Sequence, residues 1–153
     1  MSISINQPAP DFTLFNTEKQ AITLSSLRGH KVVLLFFPAA FSGGCTKELC
    51  SVRDDMASYN HVNAKVIGIS TDTLFTLAKF KEDQGYNFEL LADYNKEVSQ
   101  LYGCSYDEFV FGMKGNSKRS AFVIDENGVV KYAQVNDSAG DMPDFDQIKA
   151  ALA

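Results

Sequence analysis

Of the three cysteines in this chain, Cys45 stands where a thiol can become a nucleophile. It follows an apolar run, Val32 to Phe37, that is long enough for a buried strand and too short for a membrane span. Pro38 stops that strand, and Ser42 with the Gly43-Gly44 pair turns the chain. Beyond the turn, Cys45, Leu49, Val52, Met56 and Tyr59 fall on one stripe, which predicts a helix from Cys45 to about His61. A cysteine in the first turn of a helix meets unpaired backbone N–H groups and the positive end of the helix dipole. Both favour a thiolate over a thiol. Thiolate catalysis or redox chemistry is therefore the reading to test against the bland one, in which a buried cysteine is a small apolar filler.

The elements that must position Cys45 can be read from spacing and punctuation. Pro8 and Pro10 make an extended lead-in, and Phe12 to Phe15 with Ala21 to Leu24 predicts a small N-terminal hairpin. Lys65 to Ser70 is a second buried strand rich in β-branched residues. Asp72 or Thr73 caps a following helix that Gly85 ends, Phe88 to Leu91 is a short strand, and Asp93 or Asn95 opens a helix that Gly103 closes. The segment from Cys104 to Lys118 has no period yet is apolar, which suits a loop that covers something or contacts another chain. Ser120 to Asp125 and Val129 to Val135 form a hairpin across Glu126-Asn127-Gly128, and Pro143 opens a last helix facing inward through Phe145, Ile148 and Leu152. This order implies one domain over residues 1–153, an α/β fold whose central mixed sheet is flanked by helices on both faces.

Composition removes several function classes. With 45% hydrophobic residues in 153, the chain can bury a substantial core without disulfide staples. A net charge of -5 argues against nucleic acid and anionic membrane as partners. There is no signal-peptide pattern, so a cytoplasmic location is expected, and an odd cysteine count there points away from a structural disulfide framework. His30 and His61 have no ligand-like spacing to the cysteines, and no phosphate loop or C-x-x-C motif is present. No metal or cofactor is expected.

The run Pro38-Ala39-Ala40-Phe41-Ser42-Gly43-Gly44-Cys45 resembles the P-x-x-x-(T/S)-x-x-C signature of the peroxiredoxins. Its continuation Thr46-Lys47-Glu48-Leu49-Cys50 resembles the subgroup related to bacterioferritin comigratory protein, the Q-type, and the lead-in also resembles the alkyl hydroperoxidase E-like group. The Ala9-Pro10-Asp11-Phe12 opening, Ile69-Ser70-Thr71-Asp72, Leu91-Ala92-Asp93 and Arg119 to Asp125 are similar to family segments as well. The resemblance implies a thioredoxin-like fold and a thiol peroxidase acting on hydrogen peroxide and organic hydroperoxides, re-reduced by thioredoxin or a similar dithiol. It implies Cys45 as the attacking thiolate, Pro38 as a cover over the sulfur and the Ser42 hydroxyl as a close donor and acceptor. It also selects Arg119, which spacing alone does not distinguish from Arg28 or Arg53, as the cation beside sulfur and peroxide, with Glu48 orienting it.

A sulfenic acid left on Cys45 needs a thiol to recycle it. Cys50 is the first candidate, as in the Q-type group, and Cys104 the second. Residues five apart in a helix are separated by about 7.5 Å of rise, beyond the ~7 Å Cα limit for a disulfide, so a Cys45–Cys50 bond requires the helix start to unwind. The competing reading is a peroxide-sensing redox relay that docks a partner or a second copy of itself, a possible homodimer, through the apolar Cys104 to Lys118 loop.

Overall fold

The computed structural model describes residues 3–153 and carries one seven-stranded sheet. Strands β1 (Thr13–Asn16) and β2 (Ala21–Thr23) pair antiparallel, as the expected N-terminal hairpin. Strands β3 (Lys31–Phe36), β4 (Ala64–Ser70) and β5 (Glu89–Ala92) run parallel, and β6 (Ser120–Ile124) and β7 (Val130–Val135) add an antiparallel hairpin on the far side of β3. The spatial order is β2-β1-β5-β4-β3-β6-β7, so the apolar Val32 to Phe37 run lies well inside the sheet. Strand alternation then sorts its side chains. Val33, Leu35 and Phe37 enter one core cluster, and Val32, Leu34 and Phe36 enter the other.

Helices α1 (Gly43–Asp54), α2 (Met56–His61), α3 (Leu74–Gln84) and α5 (Phe145–Leu152) cover the first face, and α4 (Glu97–Leu101) covers the second. The register of β3 against β6 sets Phe36 opposite Ser120. Arg119 therefore leaves the sheet at the same end where β3 delivers Pro38. Two segments remote in sequence meet there because of sheet pairing, before any side-chain interaction is counted.

Several boundaries differ from the sequence reading. The glycine pair expected to turn the chain instead forms the first two residues of α1, with Ser42 extended as the N-cap at φ −72°, ψ 149°. A helix start tolerates glycine because those N–H groups have no intrahelical acceptor in any case. The predicted single helix to His61 breaks at Asp55, whose side chain accepts from the Ser58 hydroxyl at 2.7 Å and pairs with Lys149. A short acid that finds such partners competes with helix continuation. Thr73 rather than Asp72 caps α3, accepting from Thr76 N at 3.2 Å. Pro143 stays outside α5, where the Asp144 carboxylate caps by accepting from Gln147 N at 3.1 Å. Asp93 does not begin α4 but caps it at a distance, accepting from the N–H groups of Val98 and Ser99. The β6–β7 turn is a three-residue loop closed by Asp125 N to Val129 O at 2.9 Å, with Gly128 at φ +82°. That positive φ is what the glycine supplies.

Candidate active site

Cys45 is the third residue of α1 and is fully buried. The first helical bond runs from Thr46 N to Ser42 O at 3.0 Å. The Ser42 hydroxyl does not cap the helix but donates back to Ala39 O at 2.8 Å. The N–H groups of Gly43, Gly44 and Cys45 thus have no hydrogen-bond partner among the described residues. Such uncapped donors at a helix start can hold an oxygen and favour negative charge on sulfur. Ser42 itself makes no hydrogen bond to the sulfur. Its contribution is to shape the loop.

That loop is pinned from three sides. Pro38 is buried and its carbonyl accepts from Asn116 Nδ2 at 3.1 Å. The Asp72 carboxylate accepts from Ala40 N at 2.8 Å and from the Ser70 hydroxyl at 2.6 Å through one oxygen. Phe41 adopts a left-handed φ of 67° and lays its ring on Phe80 with centroids 4.9 Å apart. A left-handed phenylalanine is strained, and such strain persists only where surrounding contacts over-determine the backbone.

Arg119, only 2% exposed, supplies the fixed cation. Its Nη2 donates to Cys45 Sγ at 3.5 Å, its Nη1 to Glu48 Oε1 at 2.5 Å, and its Nε and Nη2 to Ala139 O at 3.2 and 3.1 Å. A Cβ at Gly44 would stand 3.1 Å from Arg119 Nη2, so glycine there makes room for the guanidinium. The sulfur and the cation meet at a buried point, on the first turn of the helix whose leading N–H groups are uncapped. This arrangement sets a fixed positive charge beside the sulfur, where it can meet charge that develops on a bound oxygen.

Glu48 has one oxygen on Arg119, while its Oε2 is buried without a partner. Burial pushes the Glu48 carboxyl up to about 7, against the lowering effect of the Arg119 charge. Because the folded protein holds this proton more tightly than the unfolded chain, the contribution to stability is full below about pH 4.5 and is lost as pH rises through about 7. Urea unfolding between pH 4.5 and 8 should show a decline of up to about 3 kcal/mol that is absent in Glu48→Gln. Parallel pH profiles for the two proteins would contradict it.

The other cysteines occupy different surroundings. Cys50, on α1, points its sulfur at Gln84 Oε1 (3.5 Å) and Tyr86 Oη (3.7 Å). Cys104 is buried in the cluster on the opposite face of the sheet, and burial raises its thiol to about 12. Of the residues expected from the sequence, the structure joins Cys45, Arg119 and Glu48 by direct contact, sets Pro38 at the same end of the sheet, and turns the Ser42 hydroxyl toward Ala39 O. Sequence reading missed Asp72 as a loop anchor, Asn116 as the Pro38 partner and the Ala139 carbonyl. Only Asp72 left a signal, in the Ile69 to Asp72 strand end.

A family model described as the AhpC/TSA family matches residues 5–133. The chain belongs to the AhpC/TSA family. It is 39% identical to a putative peroxiredoxin bcp of Coxiella burnetii, across 85% of this chain and 87% of that protein. It is 33% identical to alkyl hydroperoxide reductase E of Mycobacterium bovis, across 87% of this chain and 86% of that one. The crystal structure of peroxidoxin BcpB from Mycobacterium tuberculosis superposes with a TM-score of 0.83 at 32% identity, covering 97% of both chains. Both expected subgroups are represented among these relatives, and the mixed sheet is the thioredoxin-like fold of the peroxiredoxins. This peroxiredoxin is a thiol peroxidase, with a peroxide substrate and a thiol reductant, and the relay reading is not favoured. No described helix is long and apolar enough to cross a membrane.

Proposed function

We propose that Cys45 is the peroxidatic nucleophile and that hydrogen peroxide and organic hydroperoxides are its substrates. The observation that carries the reading is the Arg119 Nη2 to Cys45 Sγ approach of 3.5 Å, with both side chains buried. The Cys45 thiolate attacks one peroxide oxygen. An S–O bond forms, the O–O bond breaks, and the second oxygen leaves with the electron pair and takes up a proton to become water or alcohol. Sulfur is oxidised to sulfenic acid and the peroxide is reduced. Arg119 and the α1 N–H groups stabilise the charge on the leaving oxygen. Pro38 covers the sulfur, the Ser42 carbonyl and hydroxyl hold the loop, and Glu48 orients Arg119.

Cys50 is the resolving residue in this reading. Its thiolate attacks the Cys45 sulfenic sulfur, forming S–S and releasing hydroxide, and an external thioredoxin-like dithiol then reduces the disulfide. Two facts favour Cys50 over Cys104. Cys50 shares α1 with Cys45, whereas Cys104 is buried across the sheet. Because both cysteines sit in one helix, α1 must unwind at its start, where Gly43 and Gly44 give least resistance. The enzyme works in the cytoplasm, and a second copy docks at the tip formed by Val110 and Phe111, the latter 97% exposed.

Peptide mapping after peroxide treatment tests the resolving step. A Cys45–Cys50 disulfide is expected, together with loss of the first turns of α1. A Cys45–Cys104 bond, or a Cys45–Cys50 bond within an unbroken helix, would overturn it.

A further inference from the structure

Glu48 holds one edge of Arg119, and a backbone carbonyl holds the other. That carbonyl, Ala139 O, lies on segment 136–142, beyond the residues 5–133 that the family model matches. The segment has no helix or strand, and Asp137, Ser138, Gly140 and Asp141 are exposed. Regular secondary structure therefore does not fix where the carbonyl points. Asn136 does. Its backbone N–H donates to Arg119 O at 3.0 Å, prolonging the β6–β7 pairing to the residue that carries the guanidinium. Its Nδ2 reaches across the loop to Asp141 O at 3.0 Å and Met142 O at 3.3 Å. Its Oδ1 accepts from Gln134 Nε2 at 3.0 Å, and Gln134 Oε1 accepts in turn from Asp144 N at 2.9 Å, at the cap of α5. Within the loop, Asp141 N donates to Ser138 O at 3.1 Å, a turn around Ala139 and Gly140, and the Asn136 amide holds the far end of that turn and ties the loop to the strands at both ends.

We propose that Asn136 is a positioning residue for peroxide reduction, folding residues 137–142 so that the Ala139 carbonyl takes the Arg119 Nε and Nη2 and leaves Nη2 directed at Cys45 Sγ. The guanidinium is planar, so acceptors on two edges fix its plane, whereas Glu48 alone leaves it free to pivot about one bond. A shift on the order of 1 Å at a reacting centre can lower a rate about 10²-fold. The Tyr106 Oη to Asp137 O bond (3.1 Å) and the Lys118–Asp137 ion pair (2.9 Å) also touch the loop, but both act at its exposed edge, away from the carbonyl.

The inference rests on Cys45 and Arg119 being the reacting pair, and the test keeps the two apart. Asn136→Ala and Asn136→Ser are compared with the unaltered enzyme in single-turnover peroxide reduction and, separately, in reduction of the oxidised enzyme by dithiothreitol, each corrected for the folded fraction from thermal melts. The peroxide step should slow about tenfold or more, the dithiothreitol step should not change, and the loss should vanish in an Arg119→Ala background, because residues acting through one group are non-additive. An unchanged peroxide step, equal slowing of both steps, or the same loss without Arg119 would overturn the role of Asn136. Undiminished peroxide reduction by Cys45→Ser would instead reject the underlying site.

Discussion

Cys45→Ser should abolish peroxide reduction, a loss on the order of 10⁴–10⁶-fold as for other nucleophile deletions. A serine hydroxyl is not ionised near neutral pH, and the other two cysteines cannot take over. Cys104 faces the opposite core cluster with its thiol raised to about 12. Cys50 is directed at Gln84 and Tyr86, away from the guanidinium that serves Cys45. The variant should fold, since exchanging sulfur for oxygen leaves the helix start and its N–H groups in place. Consumption of hydrogen peroxide under excess reductant is the measurement, and a residual rate within tenfold of the unaltered enzyme would exclude Cys45 as nucleophile.

Arg119→Ala is expected to have the second largest effect, a decrease of about 10²–10³-fold in the peroxide step, the range seen when one donor to a developing oxyanion is removed. It also strands Glu48, already without a partner for Oε2, in a fully buried position. Breaking a buried pair by removing one member destabilises by about 3–5 kcal/mol, so the rate has to be corrected for folded protein. Arg119→Lys separates charge from geometry. An ammonium restores a positive charge but not a planar fork that reaches Glu48, Cys45 and Ala139 together. Recovery should therefore be partial. Full recovery would mean that charge alone suffices and that orientation by Glu48 and Ala139 contributes nothing.

Much of this site was legible in the chain because the chemistry of its local half is written in adjacent residues. A buried strand, a proline stop, a serine and a cysteine at a helix start can be recognised by spacing. Arg119 was reached only through resemblance, since strand pairing across more than half the chain brings it to Pro38. The start of α1 was misplaced because glycine reads as a turn former, and its need at position 44 arises from the approach of Arg119, which local sequence does not encode. The break at Asp55 was hidden because Val52 before it and Met56 and Tyr59 after it continue one apolar stripe. Least legible was the Ala139 carbonyl. A main-chain acceptor carries no residue signature, and where it points depends on how the loop from Asn136 to Met142 is folded.

The most direct test of the account titrates reduced enzyme with one equivalent of hydrogen peroxide, blocks remaining thiols and maps each cysteine by mass spectrometry. Cys45 should be consumed first and one-for-one, as sulfenic acid in Cys50→Ser and as a Cys45–Cys50 disulfide in the unaltered chain. Oxidation of Cys50 or Cys104 while Cys45 stays a free thiol would contradict it.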